Sequence, residues 1–279
     1  MRYVSLFSGI GGIDLGLDRA GMTCAYQVEI DPYCRKVLAK HWPDVPKCDD
    51  IKTFPWTHAM SLLSDVDMVA GGFPCQTVSH AGERKGEGDA ERWLWPEMHR
   101  VCKILKPRWV LVENVVGLLS AKGLRLGERG ELFGNILRDL AEIGYGHIEW
   151  HCIRASECGS PHVRPRIWIL ANSTGSGQQG QGESVDAGHQ TPVITRKAID
   201  ALHGRFRQEW EIEPDVGRVA DGVPSRIHRL RGLGNSVLPQ IVEFIGRSIM
   251  DKEDASKART SGEMPRVREV PVAGGDDFH

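Results

Sequence analysis

The chain has 279 residues, with 35 Lys and Arg against 37 Asp and Glu and 41% hydrophobic side chains, enough for one large core or one large and one small. This balance excludes a fibrous or disordered chain, and a net charge of −2 gives no whole-chain attraction to nucleic acid, although basic residues can still gather on one face. Seven cysteines without a CxxC pair argue against a disulfide framework, and no apolar run reaches the ~18 residues of a membrane span.

The opening "MRYVSLFSGIGG" has no export leader, so the expectation is a soluble, cytoplasmic protein with reduced thiols, no metal and no membrane partner. "YVSLF" is predicted as a strand that ends in the turn "SGIGG", and "IDLGLDRAG" has helical spacing with a glycine stop. "CAYQVEI" reads as a second strand, and Asp-Pro opens the helix "DPYCRKVLAKHW". "VDMVAGG", "PRWVLVENV" and "RIWILAN" are further apolar runs of the kind buried on both faces of a sheet. Strand and helix in alternation predict an α/β domain with a mostly parallel sheet over residues 1–171.

After Asn172 the chain turns to Gly, Ser and Gln, and residues 172–225 read as a linker followed by a small region of weak signals. Residues 226–250 return to a compact element with a helix from about Pro239 to Met250, and 251–279, charged and poor in apolar residues, are predicted as a disordered tail.

Two features carry chemistry. The turn "SGIGG" lets backbone approach a ligand at Gly9 and Gly11, and Glu29 follows roughly 20 residues on, where nucleotide-binding folds place a carboxylate for ribose hydroxyls. Asp50 in "CDDI" is placed to accept from an adenine amino group, with a solvated loop carboxylate as the plainer alternative. The turn is neither GxGxxG nor a P-loop, so an adenosyl ligand without phosphates fits better than a dinucleotide. The second feature is Cys75 in "GGFPCQTVSHAG": turn formers and polar side chains surround it, which predicts exposure in a cleft, where a thiol can serve as nucleophile.

The ordered stretches "SLFSGIGGIDLGL", "VEIDPYC", "CDDI", "GGFPCQTVSHAG", "ENV", "SPHVRPRIWIL" and "GLGNSVLP" resemble the DNA (cytosine-5) methyltransferases, in that family's unpermuted order, over residues 3–170 and about 226–249. The resemblance implies a Rossmann-like methyltransferase fold, S-adenosyl-L-methionine as cofactor, and double-stranded DNA as substrate. It places Phe7, Gly9, Gly11, Glu29, Ile30, Asp50, Ile51, Pro74, Asn235 and Val237 around the cofactor. Cys75 would be the nucleophile that adds to cytosine C6. Glu113 would hydrogen-bond or protonate N3, and Arg164 and Arg166 would complete the catalytic set, with Arg166 at O2 or beside the thiol. Gln76, Ser79 and Asn114 would contact the substrate, and the loop from Ser79 to Trp93 would close over a flipped base. His162 stands where the family's Gln-x-Arg-x-Arg motif has glutamine.

The family keeps its target recognition domain between "RIWIL" and the last motif, here about residues 171–231, where Arg205, Arg207, Arg218, Arg226, Arg229 and Arg231 are the expected DNA contacts. The same resemblance implies a monomer working beside a cognate restriction endonuclease or in phage DNA protection. A tRNA cytosine-5 methyltransferase is the alternative enzyme, but the Cys-Phe-Thr signature of that branch is missing. A non-catalytic DNA-binding relative would not need the intact Cys75, Glu113, Arg164 and Arg166, and an oxidoreductase would explain Glu29 but not Cys75.

Overall fold

The run "RYVSL" forms β1 (Arg2–Leu6), buried along almost its whole length as an interior strand of a sheet of seven described strands. The computed structural model describes residues 1–53, 55–56, 63–74, 93–123, 127–173, 192–205 and 226–261. From β1 the chain passes through α1 (Gly12–Arg19), β2 (Thr23–Val28), α2 (Pro32–His41) and β3 (Lys47–Cys48). It continues as β4 (Met68–Gly71), α3 (Trp95–Leu105), β5 (Trp109–Val115), a 3-10 turn at Val116–Ser120 and α4 (Glu131–Glu142). The remainder is β6 (His147–Arg154), a 3-10 turn at Ala155–Cys158, β7 (Pro165–Asn172), α5 (Arg196–Arg205), α6 (Arg226–Asn235) and α7 (Pro239–Ser261).

The strand order is β3-β2-β1-β4-β5-β7-β6. The first five pair in parallel and β7 is antiparallel to both β5 and β6, so β7 alone runs against the other six. The mostly parallel sheet expected from the sequence is therefore mixed at one edge. The reversal matters for chemistry: it brings the start of β7 to the end of β5, with Arg166 opposite Val115.

Two apolar layers cover the sheet. On one side Val4, Val69, Val110 and Ile169 pack with Trp56, Trp95, Met98 and Ile136. On the other, Tyr3, Met68, Trp109 and Leu170 pack with Leu17 of α1 and with Val242, Ile245 and Ile249 of α7. Local signals fix the helix starts: Asp31 accepts from the backbone N–H of Tyr33 (2.8 Å) and Cys34 (3.2 Å) ahead of Pro32, which caps α2. Beneath the glycine turn, the fully buried Asp14 accepts from Ser5 Oγ (3.0 Å) and Gln27 Nε2 (2.8 Å), tying α1 to β1 and β2. Burial pushes that carboxyl up to about 6 against those donors.

Two expectations are corrected. Helix α7 does not stop at Met250 but runs to Ser261, because Glu253 is buried: it accepts from Trp109 Nε1 (2.9 Å) and pairs with Arg108 (2.5 Å), itself bridged to Asp67 (2.8 Å). Residues 251–261, expected in a disordered tail, are therefore helical, and residues 262–279 lie outside the described residues. Within the expected recognition region, the segment around Ile194 and helix α5 return to the main core: Glu149 of β6 accepts from the N–H of Val193 (3.0 Å) and Ile194 (3.2 Å), and Ile194, Ile199 and Leu202 are buried. Residues 174–191 and 206–225, the rest of that region, lie outside the described residues.

Glu253→Ala strips a buried indole N–H and a guanidinium of their acceptor, and is expected to lower stability by about 2 kcal/mol. The readout is a lower denaturant midpoint at constant slope, with Glu253→Gln, which keeps an acceptor for the indole, falling in between.

Candidate active site

Connections from β1 lead outward to β2 and β3, whereas β4 lies on its other side, so the topology switches between β1 and β4. Open α/β sheets take ligands beyond the strand ends at such a point. A cleft of about 380 Å³ opens there.

Its first half is built from the β1 and β2 ends. Phe7 and Gly9 stand on the wall with φ of 54° and 57°, and a Cβ at Gly9 would meet nothing within 4 Å, so this turn offers its backbone to a ligand. Glu29 is clamped by backbone: Oε2 accepts from Gly9 N–H (2.7 Å) and Oε1 from Asp31 N–H (2.7 Å). Burial raises its pKa, and those two donors oppose the rise. Each oxygen keeps a second acceptor direction, which suits a vicinal diol. Ile30, 70% exposed, and Ile51, buried, give the cleft apolar surface for a flat ring, with the half-buried Asp50 beside them.

The second half comes from β4 and β5. Gly72, Phe73 and Pro74 form one wall, and Pro74 is bonded directly to Cys75. Glu113 faces them from β5, with Arg166 Nε 2.9 Å from Glu113 Oε1. Burial pushes the Glu113 carboxyl above its ordinary range, while Arg166 and then Arg164 draw it back. Asn114 also reaches the cleft, but its amide donates to Phe73 O (3.2 Å) and its Oδ1 accepts from Val115 N–H (2.8 Å). That amide fixes the backbone just ahead of Cys75, a role the sequence did not indicate.

The far wall is α6, which supplies His228, Arg231, Gly232, Gly234 and Asn235. Phe7, Gly9, Glu29, Ile30, Asp50, Ile51, Pro74, Glu113, Asn114, Arg166 and Asn235 thus share one cleft. Gly11 and Val237 do not line it. At Gly11 (φ 89°) the ring of Trp42 fills the space a side chain would take, and Val237 packs on Gly12, where a Cβ would lie 3.0 Å from its carbonyl oxygen. Arg164 also departs from expectation. It precedes β7 at φ 24° rather than sharing the strand's alternation, and its Nη2 donates to Gly234 O and Ser236 O, both at 2.7 Å. Cys75, Gln76, Ser79 and the loop to Arg92 lie outside the described residues, as do Arg207 and Arg218.

Several cleft residues carried no sequence signal for this place. His228 stacks on Tyr33 (5.8 Å, 24°), and Arg231, expected on DNA, lines the cleft with Nη1 4.0 Å from Asp31 Oδ2. Asp31 was recognisable as a helix cap, not as a cleft residue. Gly72 is the other: a Cβ there would lie 2.6 Å from Glu113 Oε2. Gly72→Ala must therefore displace the carboxyl, and a loss of about a hundredfold in turnover is expected. Binding of a ligand on Glu29, across the cleft, should change far less; loss of both together would show that the substitution acts beyond the Glu113 carboxyl. Among the described residues no cluster of His, Cys, Asp and Glu is arranged to hold a metal ion, and no helix is long and apolar enough to cross a membrane.

Known proteins resemble this chain in sequence and in fold. It is 36% identical to the type II methyltransferase M2.BsuMI of Bacillus subtilis over 176 residues, which are 62% of this chain and 42% of that protein. With M.AquIA of a Picosynechococcus strain, also a type II methyltransferase, identity is 31% over 62% of this chain and 73% of the other. The chain therefore spans less than half of the Bacillus relative's length. The solved structure of the methyltransferase EhMeth of Entamoeba histolytica superposes with a TM-score of 0.59 at 14% identity, covering 91% of this chain and 98% of that one, a likeness of fold. The sequence model of the C-5 cytosine-specific DNA methylases matches residues 1–213, more than three quarters of the chain, and the chain belongs to that family.

Proposed function

We propose that the protein methylates C5 of cytosine in double-stranded DNA, using S-adenosyl-L-methionine and a transient bond between Cys75 and C6. The observation that carries this reading is the convergence of Glu29, Glu113 and Arg166 on one cleft, at the turn that leads directly into Cys75. When bound, the cofactor supplies an electrophilic methyl group on a sulfonium.

The residues present fit that cofactor. The two-oxygen clamp of Glu29 suits ribose hydroxyls, Ile30 and Ile51 suit the adenine faces, and Asp50 suits its amino group. The carboxylates of Glu29, Asp31, Asp49 and Asp50 on the same walls favour a cationic ligand.

Cytosine C5 is a poor nucleophile. Addition of the Cys75 thiolate to C6 makes one new S–C6 bond and shifts an electron pair toward C5 and N3, where a carboxyl with raised pKa can donate a hydrogen bond. Arg166, ion-paired to Glu113, fixes that carboxyl's orientation. After C5 takes the methyl group, loss of the C5 proton to a base and departure of the thiolate from C6 restore the ring. Access from both faces of the base requires it to leave the duplex. The type II relatives favour a modification enzyme of a restriction system, working beside an endonuclease of the same specificity.

Expression in a host without cytosine methylation, followed by genome-wide reading of 5-methylcytosine, is the test. Methylation in a fixed sequence context is expected. Absence of methylation from folded protein that binds S-adenosylmethionine would overturn the DNA reading and direct the assay to RNA.

A further inference from the structure

We infer that Arg164 is a positioning residue for the cofactor pocket, holding the turn between α6 and α7 against the catalytic sheet, and does not contact the target base. The inference rests on the cofactor assignment proposed above.

The last carbonyls of an α-helix have no partner within the helix and carry the negative end of its dipole. In α6 the Gly234 carbonyl is one of these, and the Ser236 carbonyl follows in the turn. One guanidinium nitrogen of Arg164 donates to both, at 2.7 Å each, across 70 and 72 residues of sequence. Between those two carbonyls sits Asn235, whose neighbour Gly234 also lines the cleft. The opposite side of the turn rests on the cofactor loop: a Cβ at Gly12 would meet Ser236 Oγ at 2.8 Å and Val237 O at 3.0 Å. The turn is therefore gripped between the loop after β1 and Arg164.

The backbone of Arg164 is built for this reach. A φ of 24° is a conformation that L-residues seldom adopt, and it breaks the alternation that would otherwise send Arg164 the same way as Arg166. The carbonyls of Val163 and Arg164 both approach Ala155 N–H (3.0 and 3.4 Å), holding the bend in place. Arg166 goes to Glu113 instead, so the two arginines divide the work: one holds the acid, the other the cofactor wall.

The test is calorimetric binding of S-adenosylhomocysteine together with kcat and KM for S-adenosylmethionine, on the full chain carrying Arg164→Ala, Arg164→Lys or Arg166→Ala. For Arg164→Ala the ligand Kd and the KM are expected to rise about tenfold or more, with a smaller fall in kcat. Arg164→Lys, whose ammonium can also divide between two carbonyls at one point, should recover part of that affinity and carries the test if the alanine variant does not fold. Arg166→Ala should give the opposite split, with kcat lowered but measurable and Kd kept. Wild-type Kd in folded Arg164 variants, with a fall confined to kcat, would overturn the inference. Failure of the wild-type protein to bind the ligand would instead overturn the cofactor assignment.

Discussion

Cys75→Ala is expected to remove methyl transfer altogether, a fall of at least about a thousandfold, while binding of S-adenosylhomocysteine stays near the wild-type value. In the proposed mechanism the thiolate is the group that makes C5 reactive, and the described cleft offers no substitute at that place. Among the described cysteines burial raises the pKa of Cys24, Cys34, Cys48, Cys102, Cys152 and Cys158, which leaves them as weak nucleophiles. An oligonucleotide with 5-fluorocytosine separates nucleophile from bystander, because fluorine cannot leave as the C5 proton does and the enzyme stays bonded to C6. A denaturant-resistant complex is expected with the wild type and none with Cys75→Ala. Residual turnover within tenfold of wild type would remove Cys75 from the mechanism.

Glu113→Gln is expected to lower kcat by about a hundred- to ten-thousandfold, the usual range for a lost general acid. Its pH profile is the more telling readout. Burial raises the pKa of Glu113, so its protonated, donating form persists to higher pH than for an ordinary carboxyl and is lost as pH climbs through the raised value. The nucleophile works in the other direction, since its thiolate fraction grows with pH. Wild-type kcat should therefore rise and then fall, and the falling limb should disappear in Glu113→Gln, whose amide donates at every pH. A falling limb that survives the substitution would assign it to another group. Arg166→Ala should move the same limb to higher pH, because the first charge that draws the Glu113 pKa down is gone.

The half of the cleft around Glu29 was legible because its residues lie where the chain itself places them. A β-prone run followed by glycines fixes a strand end, and a carboxylate at the next strand end lands beside it, as Glu29 does on Gly9 N–H. Glu113 was legible for the same reason. Strand β6 was not, because "HIEWHCIR" alternates His147, Glu149 and His151 toward a face where a polar pattern predicts solvent. That face is covered by residues 193 and 194, whose N–H groups satisfy Glu149, a long-range contact that leaves no mark on local periodicity. The last three turns of α7 were hidden likewise: "DKEDASKARTS" reads as a charged tail until Glu253 meets Trp109 and Arg108. Strand direction is also absent from local pattern, and with it the reason Arg166 reaches Glu113. Arg164 diverged from Arg166 through a backbone angle that no side-chain alternation encodes.

Helix α7 closes one face of the sheet with Val242, Ile245 and Ile249, against Tyr3 from β1 and Trp109 from β5. During synthesis all seven described strands are complete once Asn172 is made, yet that face waits for residues 239–261. At about 5–20 residues per second the wait is on the order of ten seconds. Throughout it a nearly complete sheet presents an apolar face that α1 covers only in part, which is the situation that recruits chaperones and favours association between nascent chains.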